Sequence, residues 1–435
     1  MSEVMSDVNS DATQNETRNE TRDETRGASV PARRQIDRRR LLLSAAGGLG
    51  ALAVTGGVGW WVRRPQARGP RLWSAADLGG RVVLPAGAQR GLFASGYDGR
   101  VRALDPGTGA VRWSREVRAA APVDQLGVWQ LDSSGGWPVA AGDGVVCVVS
   151  TSHVQVFDAA SGEPRWEVAL PQGADSGWKQ GPVVGGGAVF AVHGSALRCY
   201  DAASGALRWS GEGAVGAVGD PDASGVSDVS DASGVSGVLA LDGDTVYAAG
   251  QRGGLLAFDA RGGERRWAQR TVGVLDTPPV VERGVVHVLE NGPTPGSARV
   301  FALDAATGRV VWQRGRLPVA GPLSVADRAV CLLSGDRLMA LDADTGETRW
   351  TAEVAAGLGR GVSSMTAADG AVYVGTNDDR LFAFDLASGL PRWRDEPERL
   401  REDTEFTRVF LAASGSAVFR GSRSGLRALG APPSA

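Results

Sequence analysis

The stretch Val300–Trp312, VFALDAATGRVVW, occurs seven times in this 435-residue chain with only small changes. The other copies open at Val101, Val154, Leu197, Leu255, Leu338 and Leu381. Each holds an aspartate (Asp105, Asp158, Asp201, Asp259, Asp304, Asp342, Asp385) and, four residues on, a glycine (Gly109, Gly162, Gly205, Gly263, Gly308, Gly346, Gly389). A tryptophan stands eight residues after each aspartate (Trp113, Trp166, Trp209, Trp267, Trp312, Trp350, Trp393). An internal repeat constrains a fold more tightly than length does, because each unit has to bury its faces against its neighbours. Most successive aspartates lie 38 to 45 residues apart, close to the roughly 40–45 residues of one four-stranded propeller blade.

The unit from Gly321 to Trp350 shows how that spacing is used. Three short β-rich runs, PLSV, AVCLLS and RLMALD, are separated by turn residues, and a fourth begins at Glu347. Four such runs with no helical period between them form an antiparallel meander. The aspartate opens the turn between the third and fourth strands, where its carboxylate accepts hydrogen bonds from amides the ladder leaves unpaired. The glycine supplies the positive φ of a bulged hairpin. The tryptophan follows on the outer strand, where its ring can fill the wedge between one sheet and the next. Groups needed seven times serve the scaffold, since a catalytic centre is needed once.

The two ends complete the count. Before the first full unit, PRLWSAADL supplies a strand with Trp73 but no aspartate turn ahead of it. After the last, AVFRGSRSGLRALG supplies second and third strands, and no turn glycine or tryptophan follows. Joining these fragments makes an eighth blade and removes the ragged edges. The expectation is an all-β, eight-bladed propeller over 71–435, with seven blades as the alternative.

The pattern Ala-x-Asp-x-x-x-Gly-x-x-x-Trp, as in Ala302, Asp304, Gly308 and Trp312, resembles the tryptophan-docking motif of pyrroloquinoline-quinone (PQQ) propellers over about residues 71–430. The motif belongs to the scaffold, so it speaks for the fold more than for the chemistry. For dehydrogenases of that fold the resemblance implies PQQ on the propeller axis, calcium, a catalytic aspartate and two adjacent bonded cysteines. Here Cys147, Cys199 and Cys331 stand alone in strand-like runs, and no acid set apart from the repeats matches a base or a calcium ligand. The long insertions that build those active sites are missing. Non-enzymatic members, such as outer-membrane assembly scaffolds, bind protein through their loops, and this sequence is more similar to that kind. No catalytic residue and no resident cofactor are expected; a PQQ-dependent oxidoreductase is the alternative.

Net charge is −3 with both signs mixed along the repeats, which leaves no basic stripe for nucleic acid. Residues 1–37 are polar, include NETRNETRDETR, and are expected to be disordered. Residues 38–62 follow, with Arg38, Arg39 and Arg40 ahead of an uncharged run from Leu41 to Val62. Twenty-two residues at helical rise reach across a bilayer core of about 30 Å. The leading arginines place the N-terminus in the cytoplasm and the propeller outside. Arg38-Arg39-Arg40-Leu41-Leu42 also resembles a twin-arginine signal, with Ala51-Leu52-Ala53 as a cleavage site, so a secreted protein is the alternative to a single-pass anchor. Residues 63–70 form a linker.

Function is expected where the pattern breaks. Trp129, Trp137 and Trp178 belong neither to the repeats nor to the apolar run; with Gln130, Lys179 and Gln180 they form a candidate surface for a protein partner or extracellular ligand. The alternative is that they cap the channel or pack between blades. Within GDPDASGVSDVSD, the residues Asp220, Asp222, Ser224, Gly225, Asp228 and Asp231 follow the spacing of a calcium loop. The doubled DASGVS in the same segment favours a plain surface loop. His153, His193 and His287 read as ordinary sheet residues, and RDEPERLREDTEFTR from Arg394 as a solvated loop or a docking rim. Together these point to a monomeric, membrane-tethered binding scaffold, with a carbohydrate or cell-wall sensor as a further alternative.

Overall fold

The computed structural model describes residues 67–430, apart from isolated positions, a few gaps of two or three residues, and the stretches 84–90, 120–137, 171–180, 212–237, 355–361 and 397–407. The polar tail, the apolar segment and the linker as far as residue 66 lie outside the described residues. Within them 32 strands form eight four-stranded antiparallel sheets, and there is no helix. In blade 1 the chain runs outward through Gly80–Val83, Leu92–Gly96, Arg100–Leu104 and Val111–Glu116, and blades 2 to 7 repeat this order. Blade 8 takes Phe410–Ser414, Ala417–Ser422 and Gly425–Gly430 from the C-terminal end and its outer strand, Arg71–Ala75, from the N-terminal one. Arg71 pairs with Leu429 and Trp73 with Ala428. The ring therefore has eight blades and not seven.

The middle strands are apolar on both faces because both faces are covered. The strand Ala329–Ser334 is buried along Ala329, Val330, Cys331, Leu332 and Leu333. Alternate residues go to opposite seams, so Cys331 and Leu333 pack toward blade 7 while Val330 and Leu332 pack toward blade 5. The sulfurs are sheet filler, as expected: all three cysteines are free and buried, and burial pushes the thiols up, to about 11 at Cys199 and about 12 at Cys331. His287 and Cys331 hold the same place in neighbouring blades, each one register step from an alanine that in turn pairs with the blade tryptophan. The buried imidazole of His287 lies 6.0 Å from the Trp312 ring, and burial lowers its pKa, so it packs as a neutral ring.

The tryptophans and turn glycines are two halves of one joint. The indole Nε1 of Trp267 donates to the Ala305 carbonyl of the next blade at 2.9 Å, and its ring lies against Gly308 there. The same bond runs from Trp73 to Pro106, Trp113 to Ala159, Trp166 to Ala202, Trp209 to Ala260, Trp312 to Ala343 and Trp350 to Leu386. A Cβ on Gly308 would sit 2.6 Å from Trp267 Cδ2, and φ there is +71°. Glycine is thus required twice over, by backbone conformation and by the indole seated on it. At the eighth seam no aspartate turn exists, and Gly69 takes the place: its Cβ would lie 2.6 Å from Trp393.

Six of the seven turn aspartates use both carboxylate oxygens. Asp158 Oδ1 accepts from the amides of Ala160 and Ser161, and Oδ2 accepts from Arg165 Nη2 at 2.6 Å. An arginine seven residues after the aspartate makes the same contact in six of the seven turns, through Arg112, Arg165, Arg208, Arg266, Arg349 and Arg392. The arginine and the turn donors together hold the carboxylates below their usual range, down to about 2 for Asp158. In the remaining turn Val311 stands where the arginine would be, and the carboxyl of Asp304 is lowered chiefly by Thr307.

Two predictions follow from these joints. Gly308→Ala should destabilise the protein more than Gly144→Ala, measured as the shift in thermal midpoint. Gly144 also has positive φ, at +77°, but open space around its missing side chain. The φ term alone costs about 1–2 kcal/mol, so equal effects would separate the glycine from the dock. The second concerns acid. A carboxyl whose folded pKa is depressed contributes stability above its unfolded value of 3.8, and that contribution fades as pH falls toward about 2. Asp158→Asn should therefore flatten the loss of thermal stability between pH 4 and pH 2 more than Asp304→Asn does.

Candidate binding face

Because the strands alternate in direction, the connections sort onto two faces. The aspartate turns and the turns between first and second strands lie on one. The links between blades and the turns between second and third strands lie on the other. The unrepeated parts of the chain attach to this second face. Trp129, Gln130 and Trp137 fall in the link from Glu116 to Val139, between blades 1 and 2. Trp178, Lys179 and Gln180 fall in the next link, from Ala169 to Val183. Asp220, Asp222, Ser224, Asp228 and Asp231 fall in the one after, from Gly211 to Val238. All of these residues lie outside the described ones; what the topology establishes is that three consecutive links carry them. Most of the charged insertion, 397–407, also lies outside, in the link between blades 7 and 8.

Two links, the first of these and the one between blades 4 and 5, are gripped by buried polar side chains at their described residues. Gln155, 5% exposed in the third strand of blade 2, grips the stem of the first link at both backbone atoms of Arg118. Its Oε1 accepts from Arg118 N at 2.9 Å and its Nε2 donates to Arg118 O at 2.8 Å. Ser150 Oγ donates to the same carbonyl at 2.7 Å. Glu290, fully buried, accepts from Gly273 N in the link between blades 4 and 5, and from Arg299 Nη2 at 2.8 Å. A buried polar group stays favourable only when its partners are in place, so each of these residues fixes where its link departs.

The densest such group lies where the ring closes. Asp395, at the end of blade 7, accepts from Arg420 Nη1 at 2.9 Å and Arg427 Nη1 at 3.2 Å, both in blade 8. Arg71 of the N-terminal strand reaches its other oxygen at 3.7 Å. Arg420, 1% exposed, also pairs with Asp379, which takes the hydroxyl of Ser424 and sits at φ +66°. The N-terminal segment crosses the same seam on main-chain bonds: Gly69 N donates to Arg394 O at 2.9 Å and Gly430 N to Pro70 O at 2.7 Å. Both carboxylates are occupied by guanidinium groups, which suits a clasp.

Among the described residues no three of His, Cys, Asp and Glu are grouped to hold a metal. Burial holds the thiols of Cys199 and Cys331 protonated and the His287 ring neutral. Gln155, Glu290, Asp379, Asp395, Arg420 and Arg427 are the site residues that reading the sequence missed. The available signal was a polar letter inside a strand where other copies carry an apolar one, as Gln155 in VQVFD stands against Phe301 in VFALD.

Comparison with known proteins follows from this geometry. The chain is 28% identical over 200 residues to "Serine/threonine-protein kinase AfsK" of Streptomyces griseus, which covers 42% of this chain and 24% of that protein. It is 30% identical over 168 residues to "Outer membrane protein assembly factor BamB" of Bordetella pertussis, covering 35% of this chain and 42% of that one. The chain thus spans less than half the length of these relatives. Among solved structures, BamB of Moraxella catarrhalis superposes with a TM-score of 0.58 at 20% identity, over 84% of this chain and 98% of that chain, which is a likeness of fold. The family model described as "Outer membrane protein assembly factor BamB" matches residues 61–314, 211–356 and 296–431. With the repeat, the eight blades and nearly the whole propeller inside that match, the chain belongs to this PQQ-like propeller family.

Proposed function

We propose that this chain is a membrane-tethered, extracytoplasmic scaffold that binds protein through the link face of its propeller. One observation carries the reading: the unrepeated tryptophans belong to consecutive links on a single face, while the repeated tryptophans, glycines and aspartates serve the joints. Aromatic anchors on loops carried by a sheet scaffold are how a propeller offers a partner large contact area at low entropic cost. The family resemblance supports a protein partner, and Leu41–Val62 supplies the tether, with its arginine-rich flank on the cytoplasmic side. The reading includes no catalysis and no bound PQQ or calcium.

Replacing Trp129, Trp137 and Trp178 together by alanine should abolish capture of the partners held by the wild-type full chain. Thermal stability should stay nearly unchanged, since surface substitutions stay within about 0.5 kcal/mol. A large fall in the thermal midpoint would return these rings to the core. Addition of PQQ and calcium should give no dye-linked alcohol or sugar oxidation; turnover with one cofactor per chain would replace the scaffold with an oxidoreductase.

A further inference from the structure

The outer strand of every blade is a sheet edge, and an open edge is a template for another strand. Natural sheets protect such edges with charge, and in six blades the arginine that binds the turn aspartate stands on the outer strand at the start of that edge. Blade 5 lacks it. There Val310 and Val311 are adjacent and 43% and 52% exposed. Both are β-branched, the residue class that best suits a pleated edge. Their strand, Val310–Leu317, has eight residues and is the longest of the outer strands. It pairs on one side only, with Ala298–Asp304.

Charge along the strand is mainly positive: Asp304 stands at its start beside Arg309, and from there to Asp327 only Arg309, Arg314 and Arg316 are charged. Arg309 and Arg316 are exposed, and Arg314 is half-buried with Nη1 donating to Gly346 O at 3.2 Å. In the turn of the next blade, on which Trp312 docks, Asp342 and Asp344 are already paired with Arg349 and Arg328. Arg316 lies at φ +63°, next to the irregular pairing between Ala298 and Val300. The pairing shifts again between Ala302 and Leu303, where Val311 is the extra residue of a bulge, so the regular edge is Trp312–Arg314 with the two valines at the bulge that opens it.

The geometry points to this edge of blade 5 as a second docking surface, which takes an extended segment of a partner protein bearing alternating apolar and acidic side chains and adds it as a fifth strand. Main-chain bonds along Trp312–Arg314 hold the segment, the two valines at the bulge receive its apolar side chains, and the arginines select its acids. The surface lies on the rim and is independent of the link face.

The test uses the full chain in detergent and a synthetic octapeptide alternating valine and glutamate. At saturation the peptide should slow hydrogen exchange at the outward amides of 312–314 by about tenfold or more, and leave the outer strand of blade 2, Pro164–Ala169, unchanged. Val311→Arg rebuilds the pair with Asp304 found in the other turns, so it should preserve the thermal midpoint while weakening the peptide about tenfold. A Val310→Ser, Val311→Ser double variant should weaken it similarly without adding charge. A valine–lysine octapeptide should bind far more weakly. The inference is overturned by equal protection of blades 2 and 5, by binding insensitive to both variants, or by preference for the lysine peptide. It is also overturned if phosphatidylglycerol vesicles, and not the peptide, protect the strand.

Discussion

The structure depends on an indole lying flat on a residue that has no side chain. Sheets stacked around a ring diverge toward the rim, and only a large planar group fills that gap without voids. The ring must then approach backbone, so the surface receiving it must be bare, and its N–H must find an acceptor there. Gly308 and the Ala305 carbonyl meet both demands for Trp267, and six further seams repeat the solution. The aspartate turn exists to place that glycine and that carbonyl in one rigid corner.

The last seam shows what happens when the corner is missing. Trp393 lies against Gly69, which belongs to no turn, and its N–H has no acceptor among the described atoms. The same seam carries the buried Arg420–Asp395 and Arg420–Asp379 pairs and the main-chain bonds of the N-terminal segment. Buried ion pairs are weak sources of net stability but strict about geometry. Their place here fixes the register of a junction that no repeat defines.

Legibility followed repetition. The eight blades, the turn chemistry and the structural role of the tryptophans were readable because seven copies print the same spacing. The glycine was read for its φ alone, since the indole it receives comes from the preceding unit and no local pattern shows that meeting. The turn arginines were visible seven residues after each aspartate, yet arginine is so common in this chain that the position did not stand out. Gln155, Glu290, Arg420 and Asp395 were opaque for another reason. Each is a single polar letter whose partner lies in a link, as for Gln155 and Glu290, or in the neighbouring blade, as for Arg420 and Asp395, and only the fold brings the two together. The candidate tryptophans were located by subtraction, and the topology then assigned their links to one face.

Borrowing a strand from the opposite end has a consequence for how the ring is made. Trp73 precedes every other strand pair of the propeller, while its partner Ala428 lies in the strand that closes blade 8. Seven sheets can assemble in order behind the ribosome, but Arg71–Ala75 has no ladder to join until Gly425–Gly430 has been made. Such long-range pairing is slow to nucleate and leaves an apolar edge open meanwhile. The interval between the two ends is when this protein is most exposed to mispairing, and a strand offered by a second nascent copy would fit the vacancy equally well.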